Sequence, residues 1–96
     1  MLVAVPGVYI GWISISPAVA EKIQTKHGIT PDEVREACSG HTVAKWEVHP
    51  EHGRRLLVIG TTGGGRTLKV VLQPIDPRDG TWRLRTALVA TRRLGT

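Results

Sequence analysis

The chain has 96 residues, enough for one compact domain with a single modest core and too few for a second. Lys and Arg number 13 against 8 Asp and Glu, a net charge of +5 that favours polyanionic partners: RNA, DNA, an anionic membrane or an acidic protein. The single cysteine, Cys38, excludes an internal disulfide and fits a reducing compartment, with the cytoplasm as the default.

The apolar start holds Pro6 and Gly7 and lacks a basic beginning, so it does not read as a signal peptide, and no apolar run is long enough to span a bilayer. Residues 8–15 are rich in Val, Tyr, Ile and Trp and predict a first strand. Ser16-Pro17 then supplies an N-cap and a first-turn proline, good helix formers run to Lys26, and Gly28 provides a left-handed stop. A second helix starts at once. Thr30 and Glu33 form a capping box, Pro31 takes the first helical position, and Ile29 and Val34 can close a hydrophobic staple. This helix places Val34, Ala37 and Cys38 on one face and ends at Ser39-Gly40.

Beyond Gly40 the period changes from helical to alternating. Stretches 42–49, 54–61, 66–73 and 81–88 read as strands, joined by His-Pro-Glu-His-Gly, Thr-Gly-Gly-Gly and Pro-Ile-Asp-Pro-Arg-Asp-Gly, all turn chemistry. Short connections imply an antiparallel meander, so the predicted fold is α+β: strand, helix, helix, then a four-stranded meander, with the helices on one sheet face in a single domain, 1–96. Alternation predicts Trp46, Val48, Leu68, Val70, Leu72, Trp82, Leu84 and Leu88 beneath the helices. The opposite face is predicted to be basic and polar, with Lys45, His49, Lys69, Arg83 and Arg85. Stretch 54–61 is apolar on both faces and is expected to be central and covered on both sides.

Gly60 to Thr67 differs from a phosphate-binding P-loop by Arg66 in place of lysine, but the segment after it reads as a strand, so a glycine hairpin is expected. His49 and His52 lie three apart in a loop with no cysteine pair or third histidine nearby, so they read as turn residues and no metal is expected. Lys26 and His27 sit where the negative end of a helix dipole favours cations. Arg83 and Arg85 repel each other on one strand face unless something anionic lies across them.

The segment from Lys26-His27-Gly28-Ile29-Thr30-Pro31 to Ala37 resembles the Lys-His-Gly helix pair of BrnT-type toxins. Arg55-Leu56-Leu57-Val58-Ile59-Gly60 with Gly65-Arg66-Thr67-Leu68-Lys69-Val70-Val71 is similar to that family's central hairpin. Trp82-Arg83-Leu84-Arg85-Thr86-Ala87 with Ala90-Thr91 is similar to its final strand. The blocks fall in family order and cover most of the chain from about Trp12 to Arg93. This resemblance implies a RelE-like fold and a bacterial type II toxin that cleaves messenger RNA without a metal or other cofactor and is silenced by a BrnA-type antitoxin. The expected assembly is a homo-oligomer or a toxin–antitoxin hetero-oligomer in the cytoplasm, with no membrane partner.

The chain departs from the family at Thr86-Ala87-Leu88, where Ser-Ala-Arg is usual, and in its final residues, where a longer helix is common. Metal-free RNA cleavage needs a deprotonated 2′-hydroxyl, a stabilised phosphorane and a protonated leaving oxygen. His27 or His49 are the expected proton-transfer groups, with Lys26 as a substitute base, and Arg55, Arg66, Lys69, Arg83 and Arg85 the expected RNA-binding residues. The alternative is a non-catalytic module that binds nucleic acid or an antitoxin, favoured by Leu88.

Overall fold

The computed structural model describes residues 8–39 and 42–90, and its elements run β1 (Trp12–Ser14), α1 (Pro17–His27), α2 (Pro31–Ser39), β2 (Thr42–His49), β3 (Gly53–Thr61), β4 (Thr67–Asp76) and β5 (Thr81–Val89). The N-terminal stretch with Pro6 and Gly7, the helix stop at Gly40 and the C-terminal residues 91–96, where a helix is common in the resembled family, fall outside the described residues.

Local chemistry sets both helices. The Ser16 hydroxyl accepts from the Val19 amide at 3.2 Å, and Gly28 closes α1 at φ 64°, a conformation that costs a glycine nothing. The capping box forms in both directions: Thr30 Oγ1 accepts from the Glu33 amide at 3.2 Å, and Glu33 Oε1 accepts from the Thr30 amide at 3.0 Å. Ile29 and Val34 are both fully buried, as a staple requires.

The sheet has five strands in the order β1-β5-β4-β3-β2. β2 to β5 form the antiparallel meander, while β1 joins parallel to β5 and makes the sheet mixed. The first strand is shorter than its composition suggests. Trp12 pairs with Thr81 and Ser14 with Arg83, but Val8 and Ile10 pack against the core instead of extending the pairing. The Gly80 carbonyl accepts from both the Gly11 and Trp12 amides at 2.8 Å, which anchors the strand's start.

One face of the sheet is covered. α1 packs on β5 and α2 on β3, β4 and β2, burying Ile23, Ile29, Val34, Ala37 and Cys38 against Leu56, Val58, Leu68, Val70, Leu72, Trp82, Leu84 and Ala87. Gly60 lets α2 come close, since a Cβ there would collide with the Ala37 carbonyl oxygen. Trp82 is fully buried and donates its indole N–H to the Tyr9 carbonyl at 2.9 Å, which satisfies the core's largest polar handle. Val48 shares the parity of the buried Ala44 and the half-buried Trp46, yet it stays exposed near the hairpin end of β2. The other face carries no helix among the described residues. β3 is therefore not covered on both sides as its composition suggests, and β4, not β3, is the middle strand. Leu57 is buried, but Ile59 is 38% exposed.

Candidate nucleic-acid interface

The open face is assembled from alternate residues of four strands. β2 contributes Val43, Lys45, Glu47 and His49, and β3 contributes Arg55, Leu57 and Ile59, held in register by Lys45 opposite Leu57 and Glu47 opposite Arg55. On β4, Lys69 stands between Ile59 and Leu88.

β5 breaks its own alternation. Leu84 pairs with Leu72, yet Thr86 pairs with the preceding Val71, so Arg85 is an extra residue in a β-bulge. Before the bulge the even-numbered Trp82 and Leu84 are buried beneath the helices; after it the odd-numbered Ala87 is. Leu88 consequently lies on the open face beside Lys69, with Arg83 and Arg85, not under the helices with Leu84. Strict alternation misplaces it because one inserted residue inverts every side chain that follows.

Five cations thus share one open surface: Lys45, Arg55, Lys69, Arg83 and Arg85. Arg55 is already engaged, its Nη2 donating to Glu47 Oε1 at 2.6 Å. That hydrogen bond holds the Glu47 carboxyl below its ordinary value against an opposing effect of burial, and the charges of Arg55, Lys69 and His49 add to it. Arg55 Nε is buried without a hydrogen-bond partner among the described residues. Lys45, Glu47, Leu57, Ile59 and Lys69 border a shallow depression of about 400 Å³.

At one end of this face lies the hairpin between β2 and β3. His49 Nδ1 accepts from the backbone amides of Glu51 and His52 at 3.1 and 3.2 Å, which places the proton of the neutral ring on Nε2. With Nδ1 committed, neutral His49 can donate from Nε2 but has no free lone pair with which to act as a base. The His52 ring stacks against it, centroids 4.5 Å apart. Desolvation within the hairpin lowers the His52 pKa, and the neighbouring His49 ring and the Arg85 and Arg55 guanidinium groups push it the same way. His52 therefore stays neutral to lower pH than a free histidine. Its place in a Pro- and Gly-containing loop marks it as a mere turn residue; the three-residue spacing from His49 is the one sequence signal that could have found it.

The other expected site residues lie elsewhere. His27 and Lys26 end α1, in the helical layer. Arg66 Nη1 donates to the Gly28 carbonyl at 3.1 Å and to both Glu33 carboxylate oxygens, at 3.1 and 3.3 Å. It clamps the β3–β4 hairpin to the junction between helices and does not join the open face. His27 adjoins that junction, whereas His49 is at the β2–β3 hairpin, so the nine residues of β3 separate them. At about 3.3 Å per residue this is roughly 26 Å, too far for one phosphate to meet both.

The Gly-rich stretch is the expected hairpin. Gly65 adopts φ 92°, the Thr62 amide donates to the Arg66 carbonyl at 2.8 Å, and the Gly63 amide donates to Glu36 Oε1 at 3.0 Å. A carboxylate of the chain itself thus occupies the amide that a phosphate loop would present outward. Among the described residues no three His, Cys, Asp or Glu side chains converge as a metal site would need, and no helix is long and apolar enough to cross a membrane.

Fold and site together define a small α+β domain with helices on one sheet face and a basic surface on the other. No protein-family model and no curated protein sequence matches this chain.

Proposed function

We propose that this chain is the toxin of a bacterial type II toxin–antitoxin pair, a cytoplasmic endoribonuclease of RelE-like arrangement that cuts messenger RNA without a metal and is held inactive by a BrnA-type antitoxin. The observation that carries the reading is the convergence of Lys45, Lys69, Arg83 and Arg85 with the His49–His52 hairpin on the one sheet face left open by the helices. The cations follow the RNA backbone, and the hairpin meets the scissile phosphate.

In this mechanism His52 takes the proton of the 2′-hydroxyl, because its ring carries neither of the hydrogen bonds that occupy His49 and its lowered pKa keeps it neutral. The 2′-oxygen attacks the adjacent phosphorus. His49 Nε2–H and the Arg85 guanidinium donate to the non-bridging oxygens as negative charge builds there. The bond from phosphorus to the 5′-oxygen breaks, and that oxygen is protonated by water or by the His52 imidazolium, leaving a 2′,3′-cyclic phosphate and a free 5′-hydroxyl. His27, Lys26 and Arg66 take no part in this mechanism, since the first two end α1 and the third is held at the far hairpin by Gly28 and Glu33.

Incubating the purified protein with a long RNA, with and without chelator, tests this. Cleavage that survives chelation and is lost in His52→Ala and Arg85→Ala is the expected result; full activity in both variants refutes the mechanism. A second reading, a binder that holds RNA without cutting it, is favoured by Leu88, which puts an apolar side chain on the open face beside Lys69. Intact RNA together with salt-sensitive binding selects that reading.

A further inference from the structure

β2 is an outer strand of the sheet, eight residues long and paired only with β3 among the described residues. Its register with β3 runs from Thr42 to His49 without a bulge, and it contains no proline. Sheet edges of this length are normally shortened, bulged or covered, because their free amides and carbonyls accept another strand. The opposite edge follows that rule. β1 has three residues, and Arg35 of α2 lies over it, donating to the Ile13 carbonyl at 3.4 Å with its guanidinium 6.0 Å from the Trp12 ring. Among the described residues no helix side chain donates to the β2 backbone; Arg54 of the neighbouring β3 lies 4.0 Å over the Trp46 ring, and the strand exposes Val43 by 58% and Val48 by 76%.

We infer that β2 pairs antiparallel with β2 of a second copy of the chain, pivoting on Trp46. The charge pattern selects this register. Keeping both helical layers on one side of a continuous sheet requires same-face residues to meet, so the two-fold axis passes through a residue; a pivot on Lys45 or Trp46 pairs seven of the eight β2 residues, whereas one on Ala44 or Glu47 pairs only five. A pivot on Lys45 sets that cation against itself. A pivot on Glu47 sets the carboxylate against itself and Lys45 against His49. The pivot on Trp46 alone places Lys45 opposite Glu47 of the second copy, twice over by symmetry. Val48 then lies opposite Ala44, and the half-buried Trp46 meets its own symmetry mate on the helical side. Glu47 already holds Arg55 at 2.6 Å, so the second copy's Lys45 completes a cation–carboxylate–cation row across the seam. The result is a ten-stranded sheet whose two open basic faces form one surface. The inference rests on the edge and its charges, not on RNA cleavage.

Light scattering after size exclusion, over a dilution series, tests it with four proteins: wild type, Lys45→Glu, Glu47→Lys and the double swap. The wild type is expected at twice the 10.5 kDa chain mass, dissociating on dilution. Each single swap puts like charges together and is expected to be monomeric; the double swap restores the pairs and the dimer. Circular dichroism confirms that each variant is folded. Amide exchange on the wild type reads the same edge without mutation, with exchange across Thr42–His49 slowing as concentration rises. A wild type that stays monomeric at every concentration overturns the inference. So does a dimer indifferent to the single swaps, or a double swap that fails to reassociate. Protection of β2 only after adding an acidic partner peptide also overturns it, in favour of strand addition by another protein.

Discussion

The open face makes a quantitative demand on RNA binding. Of its five cations, Arg55 is neutralised by Glu47 at 2.6 Å, leaving Lys45, Lys69, Arg83 and Arg85 free to displace counterions. Each phosphate neutralised on a single strand contributes about −0.7 to the slope of log K against log salt, so the four predict a slope of about −3. Arg85→Ala should flatten that slope by about 0.7 and weaken binding at low salt. Arg66→Ala should leave the slope unchanged, because that guanidinium is held by Gly28 and Glu33 on the other side of the molecule, although it should lower stability. Fluorescence anisotropy with a labelled single-stranded RNA across a salt series reads both variants. A slope near zero in the wild type refutes the proposed surface. A loss of slope in Arg66→Ala as large as in Arg85→Ala refutes the division of the arginines between clamp and surface.

Further outcomes follow from the packing and the titrating groups. Gly60→Ala drives a Cβ into the Ala37 carbonyl, so α2 must shift; a loss of about 1–3 kcal/mol, read by urea unfolding, is expected. Glu47 has a folded pKa below its unfolded value of about 4.5, so the unfolded chain takes the proton first on acidification. Its contribution to stability is therefore present above the unfolded value and is lost as pH falls through the folded one. The stability gap between wild type and Glu47→Gln should accordingly be largest near neutrality and close at low pH. Cys38, its thiol pushed up to about 12 by burial, should resist a thiol reagent in the native protein and react on unfolding. In an NMR titration His52 should give up its proton at lower pH than a free histidine, and Arg85→Ala should move that midpoint part of the way back.

Elements governed by neighbouring residues are legible in the amino-acid order itself. Ser16-Pro17, Gly28 and the Thr30–Glu33 box act within a turn or two of the chain, so their hydrogen bonds follow from spacing alone. The four meander strands are legible for a similar reason, since short turns leave consecutive strands little choice but to pair antiparallel. The general composition of the basic face is readable too, because β2 and β4 both pair with β3 without a bulge and so keep one parity to each face.

Membership of the site is not. Arg66 looks like any other basic residue in the sequence, and only the approach of the β3–β4 hairpin to the helix junction, far away along the chain, turns it into a clamp. Leu88 changes faces because the bulge at Arg85 arises from pairing with β4, a long-range event with no marker inside β5. His27 and His49 are equivalent candidates by chemistry alone; the length of β3 separates them, and the hairpin's amides settle which nitrogen of His49 carries the proton. Spacing and capping, being local, thus determine the helices, the meander and a basic balance of charge. The parallel partner of β1, the outer position of β2 and the set of residues that share the open basic face depend on contacts between distant segments, which exist only once the chain has folded.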